Sequence, residues 1–289
     1  MMNVVSARTP RQPTDRSRRR IAWWARRPGD EVSEPLIIGH RGAAARAPEN
    51  TLAGLRMAKR LGVRWVELDV QLTRDGCPVL FHDARLERTT DGHGLLGDHA
   101  LAEIEACDAG IRFSDEFRGE KVPRLEEAVA LLAELELAAI FEMKAPPGRG
   151  AETARAALAV LRRLWPARLP LMLSSDDEPA LALAQSEAAA IERALIVKAV
   201  PADWLARIER LGCRALHAGE RALDAVTVAK VAARLPLGAY TVNQPQRAQQ
   251  IIAWGAAAVF TDYPDMIISA VGHGIGGSAQ AGLPGRRIR

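Results

Sequence analysis

Between residues 36 and 261 the chain alternates short apolar runs with segments of helical period, and no other feature restricts its fold as strongly. The apolar runs are Leu36–His40, Arg64–Val70, Pro78–His82, Ala138–Lys144, Leu169–Ser174, Ala194–Lys198, Arg214–His217, Leu237–Val242 and Ala257–Thr261. Helical patterns fall near residues 50–61, 124–136, 151–165, 177–187, 202–211, 223–234 and 245–254. Strand–helix–strand units pair in parallel through right-handed crossovers. The runs number one more than a closed eight-stranded barrel needs. The link Gln71–Cys77 settles which is extra, because it centres on Asp75-Gly76, a hairpin turn, and is too short for a parallel crossover. Pro78–His82 is therefore an antiparallel return. The expected fold is α/β, a (β/α)8 TIM barrel with a small insertion at about 84–122 after the second-strand hairpin, and its chemistry belongs at the C-terminal strand ends.

A length of 289 residues accommodates one such barrel with short tails. The net charge of +4 misleads about ligands. Residues 1–30 hold eight Arg against Asp15 and Asp30, a local charge of +6 that leaves −2 for the rest. A basic tail is thus joined to a nearly neutral body, and no nucleic-acid partner is expected. Residues 1–33 are expected to be a disordered basic tail, 34–270 the barrel domain, and 271–289 a flexible Gly-rich tail. Trp23-Trp24 among arginines offers an alternative for the first tail, an anchor on anionic lipid. Cys77, Cys107 and Cys213 are scattered without a metal-type pairing, which fits a reducing compartment. No run is long enough to span a membrane, and the five apolar residues Ile21–Ala25 are too few for a secretory core. These readings predict a cytoplasmic protein.

Side chains alternate along a strand, so each run can be sorted by face. In Trp65–Leu72 one face is Val66, Leu68, Val70 and Leu72, suited to contact helices. The other face, Trp65, Glu67, Asp69 and Gln71, points into the barrel. The same sorting of the fourth run groups Ile140, Glu142 and Lys144 opposite Ala139, Phe141 and Met143. Two strands thus deliver Glu67, Asp69 and Glu142 to one rim. Three carboxylates in a low-dielectric site must raise their pKa values or bind a cation, and Mg2+ or Ca2+ takes such oxygen ligands, with Mn2+ also possible. His40 and His82 end two strands beside them, placed for general acid and base work near neutral pH. Arg41 and Lys144 suit an anionic group, and Gly42 would permit close backbone approach. A dication, two fixed cations and two imidazoles together fit a phosphodiester.

The blocks "GHRGAAARAPENT", "ELDVQLTRDGCPVLFHD", "EMK" and "YTVNQPQRAQQIIAWGAAAVFTDYPD" resemble the signature of the glycerophosphodiester phosphodiesterase family from about Leu36 to Met266. The segments "LSSDDEPAL" and "LGCRALHAGERALD" look most like its cytosolic bacterial branch. The resemblance implies metal-dependent hydrolysis of a small glycerophosphodiester to sn-glycerol 3-phosphate and an alcohol. It also implies His40 and His82 as the acid/base pair and Glu67, Asp69 and Glu142 as ligands of one divalent cation. Arg41 and Lys144 become phosphate contacts, and Glu49 a supporting residue. Glu49 reads alternatively as a first-turn helix carboxylate ahead of an Asn50/Thr51 cap. Asn243 shares a face with Thr241 and could reach the substrate, while Asp262 is expected to close the barrel. Asp83 could orient His82, although strand neighbours point apart. His93, His99 and His273 read as exposed, and His217 ends a strand at the same rim. Tyr240 stands where the family often has Trp, and Asp176 where it often has an aromatic residue, a departure that bears on headgroup preference. The competing activity is a lysophospholipase D-like attack on single-chain lipids, for which Trp23-Trp24 would be the anchor.

Overall fold

The computed structural model describes residues 35–146 and 148–274. Nine strands form one sheet: β1 (Leu36–His40), β2 (Trp65–Leu72), β3 (Pro78–Leu80), β4 (Ala138–Met143), β5 (Leu171–Ser175), β6 (Glu192–Val197), β7 (Ala215–Gly219), β8 (Leu237–Tyr240) and β9 (Ala258–Thr261). Eight of them run parallel, in the order β1-β9-β8-β7-β6-β5-β4-β2, and the pairing of β1 with β2 closes the barrel. The helices are α1 (Leu52–Arg60), α2 (Leu101–Ala106), α3 (Leu125–Leu135), α4 (Gly150–Leu164), α5 (Glu178–Glu187), α6 (Trp204–Arg210), α7 (Ala225–Ala232), α8 (Pro245–Ala253) and α9 (Pro264–Gly274). Among the described residues no helix is long and apolar enough to cross a membrane.

The β2–β3 hairpin shapes the mouth. Strand β2 pairs with β4 along one edge, while its other edge is divided. β1 takes Trp65–Glu67, and β3 returns antiparallel over Val70–Leu72. The hairpin therefore rises above the barrel rim and descends on the edge that β1 has vacated, carrying His82 back toward the end of β1. The return is shorter than expected, because β3 stops at Leu80. Beyond it the Phe81 N–H still donates to the Asp69 carbonyl (3.0 Å), while Gln71 Nε2 donates to the carbonyls of Phe81 and Asp83 (3.0 and 2.7 Å). Likewise β8 ends at Tyr240 rather than Val242.

Two apolar layers follow from the alternation. Val66, Leu68, Val70, Ala139, Phe141 and Met143 face outward and pack with the helices. Inside, Ile38, Trp65, Ile140, Met172 and Phe260 fill the barrel, and Ala138, Ala194, Ala215 and Ala258 leave room for the large rings. Each such large side chain contributes about 1.5–3 kcal/mol by leaving water. The insertion has a small core of its own, with Phe81, Leu86, Leu96 and Ile104 packed on Val79. Helices α2 and α9 carry no matching expectation from the sequence. The signal for α9 was present, in Pro264 at its first position and buried Ile267 one turn on. The tail expected from residue 271 is helical as far as Gly274, the end of α9. The expectations for residues 1–33, Trp23-Trp24 among them, for the His273 side chain and for residues 275–289 lie outside the described residues.

Candidate active site

Strand β1 ends at His40, and the chain turns sharply through Arg41 (φ 51°) and Gly42 (φ 93°), both left-handed. Gly42 makes room for α1 rather than for a ligand, since a Cβ there would lie 2.9 Å from the Gly54 carbonyl carbon. Helix α1 is capped by Thr51, whose hydroxyl accepts from Gly54 N (3.1 Å). Asn50, also left-handed at φ 56°, turns inward. Its Nδ2 donates to Asp69 Oδ2 (2.8 Å), and its Oδ1 accepts from Asp69 N (3.1 Å). Sequence reasoning took Asn50 only as part of a cap. The tripeptide Glu49-Asn50-Thr51 carried the signal, but its cross-barrel partner lies 19 residues away.

The inward face of β2 and β4 holds the three carboxylates as expected. One oxygen each from Glu67, Asp69 and Glu142 lies within 4.8 Å of the others. Glu67 and Asp69 are 4% and 1% exposed. Burial, then repulsion from Asp69 and Glu142, holds the Glu67 carboxyl well above its ordinary range. Burial and Asp69 push Glu142 up to about 7 against the pull of Lys144. Two cationic side chains and one backbone donor offset part of this charge. Arg41 Nε is 3.3 Å from Asp69, the Arg41 backbone N–H donates to Glu67 Oε2 (3.2 Å), and Lys144 Nζ sits 2.6 Å from Glu142. Glu67 Oε1 remains buried without a hydrogen-bond partner. Three converging carboxylates, one of them with an orphaned buried oxygen, fit the oxygen-donor requirements of a hard cation.

Each candidate histidine is held by a carboxylate at Nδ1. His40 Nδ1 is 2.6 Å from Asp262 Oδ1, and Asp262 Oδ2 in turn accepts from Asn243 Nδ2 (2.6 Å). Asn243 Oδ1 accepts from Asp262 N and Thr261 Oγ1 (2.9 and 3.1 Å), so this amide serves Asp262 while lining the cleft. Asp262 does brace the barrel end, its carbonyl accepting from Ala45 N, but its carboxylate faces His40. His82 Nδ1 is 2.6 Å from Asp83 Oδ1. The two neighbours do not point apart, because they follow the strand rather than belong to it. Burial lowers the His82 pKa, with Asp69, Arg41 and Lys144 all acting on the ring. His40, Arg41, Glu49, Asn243 and Asp262 line a cleft of about 400 Å3.

Glu49 lies before α1, not in its first turn. It accepts from Arg41 Nη1 (2.8 Å) and, on its other side, from Arg88 of the insertion (2.7 Å). Arg88 had no signal in the sequence beyond being one arginine among many. His217 lies inside the barrel, 2% exposed, edge-on to Phe260 at 4.7 Å, and burial drives its pKa down to about 3. It lines a small cavity with Glu67, Glu142 and Ser174 beneath the rim. His93 is exposed, and His99 is half-buried against Glu103 (3.5 Å). Asp176 is exposed, and its charge bears on Glu142 and Tyr240.

A parallel barrel with carboxylates, carboxylate-held imidazoles and basic groups at one rim is built for hydrolysis of an anionic ester. Residues 40–266 match the model of the glycerophosphoryl diester phosphodiesterase family. A glycerophosphodiester phosphodiesterase of Bacillus subtilis (strain 168) is 30% identical over 249 residues, covering 80% of this chain and 84% of that protein. One from Caldanaerobacter subterraneus is 44% identical over 109 residues, a match that spans 45% of that protein and 38% of this chain. Among solved structures, an Oleispira antarctica phosphodiesterase in complex with the product sn-glycerol-3-phosphate is 40% identical. It has a TM-score of 0.81, with 83% of this chain and 97% of that one covered. The chain belongs to the glycerophosphoryl diester phosphodiesterase family and is an enzyme of that class.

Proposed function

We propose that the protein hydrolyses small glycerophosphodiesters to sn-glycerol 3-phosphate and an alcohol, with His40 and His82 as its acid/base pair. The observation that carries this reading is the pair of histidines. Each has Nδ1 held 2.6 Å from a carboxylate, at the rim that also bears three converging acidic side chains. A carboxylate at Nδ1 selects the tautomer in which Nδ1 bears the proton, so that Nε2 does the exchange and the imidazolium is stabilised as it forms. With its pKa lowered by burial, the His82 ring is neutral at pH 7 and suited to accept a proton at Nε2 from the attacking hydroxyl. His40, acting as the imidazolium that Asp262 stabilises, delivers its Nε2 proton to the departing alkoxide oxygen and is left as the neutral Nδ1–H ring. Arg41 and Lys144 hold the phosphate oxygens by charge. Both are anchored by acidic side chains, so little side-chain entropy is lost on binding.

Glu67, Asp69 and Glu142 would hold one divalent cation, Mg2+, Ca2+ or Mn2+, a choice supported by an all-carboxylate donor set with a buried orphan oxygen. When bound, such a cation would offset two of the three carboxylate charges and stabilise charge on phosphate oxygens. Asn243 holds Asp262 against His40 and acts on substrate through that pair. The test is release of sn-glycerol 3-phosphate from glycerophosphocholine or glycerophosphoethanolamine with each of the three metals, and its loss in chelator. His40→Ala and His82→Ala should each lower kcat by about 10²–10⁴. No product with any of the three metals, or full activity in the double variant, refutes the reading.

A further inference from the structure

We infer that Arg88, supplied by the insertion, is a positioning residue that locks the general acid/base His82 and the phosphate-binding Arg41 into one rigid unit. Its guanidinium meets two carboxylates face to face. Nε and Nη2 donate to Asp83 Oδ2 and Oδ1 (2.5 and 3.0 Å), while Nη1 and Nη2 donate to Glu49 Oε2 and Oε1 (2.7 Å each). Both carboxylates have a second commitment inside the site. Asp83 Oδ1 takes His82 Nδ1 at 2.6 Å, and Glu49 Oε1 takes Arg41 Nη1 at 2.8 Å. The chain His82–Asp83–Arg88–Glu49–Arg41 is therefore continuous, and it joins the end of the hairpin return to the loop after β1. Those segments are otherwise tied through β2, by Gln71 and the Phe81 N–H on one side and by Arg41 and Asn50 on the other.

The planar fork explains why the residue is an arginine. Two bidentate carboxylate contacts on adjacent edges need the donors of a guanidinium, and a lysine presents a single point of charge. The charges agree with the geometry. Arg88 and His82 together hold Asp83 down to about 2, and Glu49, which burial alone would raise, lies below its ordinary range through Arg88 and Arg41. Asp83 thus stays anionic across the working range and keeps the His82 proton on Nδ1. Arg88 is half exposed and lines the cleft wall beside Glu49 and Ala44, so a small cation in solution can reach its place. Four of its five N–H donors are committed to these two carboxylates, which makes it a support for other groups rather than a phosphate contact.

The inference rests on the proposed roles of His82 and Arg41, and its test has one arm that needs no turnover. In the full-length protein, 15N NMR of selectively labelled histidine should show His82 held as the Nδ1–H tautomer. Arg88→Ala should convert it to an averaged or Nε2–H signal while the backbone amide spectrum and the melting temperature hold. An unchanged His82 signal overturns the inference, whether or not the protein hydrolyses any diester. In the activity arm, Arg88→Ala should lower kcat by about 10–100-fold with KM changed only a few-fold, the cost expected of a misplaced acid/base group. Added guanidinium ion at tens of millimolar should restore part of kcat. Arg88→Lys should recover less, because it returns the charge without the fork. Adding Arg88→Ala to His82→Ala should cost less in kcat than Arg88→Ala costs alone, the remainder being its support of Arg41 through Glu49. A full additional loss in that double variant, or wild-type kcat in Arg88→Ala, overturns the role. A wild-type protein that cleaves no glycerophosphodiester refutes the proposed function instead, and the NMR signal still decides Arg88.

Discussion

Glu142→Gln should stabilise the metal-free protein while abolishing its response to divalent cations. Glu142 is raised from 4.5 to about 7 by burial and by Asp69. In the unfolded chain it ionises near its ordinary value, so between pH 4.5 and 7 the unfolded state has lost a proton that the folded state keeps. Folding stability then falls as pH rises, by about 1.4 kcal/mol per pH unit, reaching a loss of about 3 kcal/mol above pH 7. Glutamine has no such cost. Because the substitution also strips Lys144 of its nearest carboxylate (2.6 Å), about 3 kcal/mol is a ceiling on the gain. For a domain of this size the ceiling corresponds to a rise of about 6–12 °C in melting temperature. The assay is urea unfolding of both proteins in chelator at pH 5, 6, 7 and 8, repeated with Mg2+ or Ca2+. The advantage of the variant should grow from pH 5 to 7 and level off. Metal should stabilise the wild type and leave the variant nearly unmoved. Parallel pH dependences in chelator would refute the reasoning, since Glu142 would then carry no burial cost to relieve.

Two further outcomes follow from buried groups. His217 is lowered from 6.5 to about 3, so the unfolded chain binds the extra proton first as pH falls. Its contribution is complete above pH 6.5 and shrinks by about 2 kcal/mol by pH 5. His217→Gln should therefore gain on the wild type by that amount between pH 8 and pH 5 in urea unfolding, and a constant gap would contradict it. Gly42→Ala places a methyl 2.9 Å from the backbone of Gly54 at φ +93°. It should cost about 1–3 kcal/mol, lower the melting temperature by several degrees and depress kcat through displacement of His40 and Arg41. A melting curve matching the wild type would show that the turn is not under this constraint.

Much of the barrel could be read from local chemistry, because both strand alternation and helix period are properties of adjacent residues. Glu67, Asp69 and Glu142 could be assigned to the inward face from the apolar partners between them. Asp75-Gly76 identified the antiparallel return. Whatever depends on backbone partners was less legible. The run that ends in His82 is strand only to Leu80, and past it the Phe81 and Asp83 carbonyls go to the Gln71 side chain. Helix α9 went unread although Pro264 marks its start.

By itself, then, the order of residues determined how many strands there are, how each is faced, and that Glu67, Asp69 and Glu142 reach one rim. Both periodicities act over a few residues and survive without any knowledge of what packs where. Tertiary structure alone decided how those rim groups are shared. Asp262 turns to His40 across 222 positions, Asn50 bridges to Asp69, and Arg88 clamps Asp83 and Glu49 from an insertion with no legible period. Hydrogen bonds are short and directional, so they depend on where distant segments come to rest within a few tenths of an ångström. Neighbours along the chain do not encode that placement.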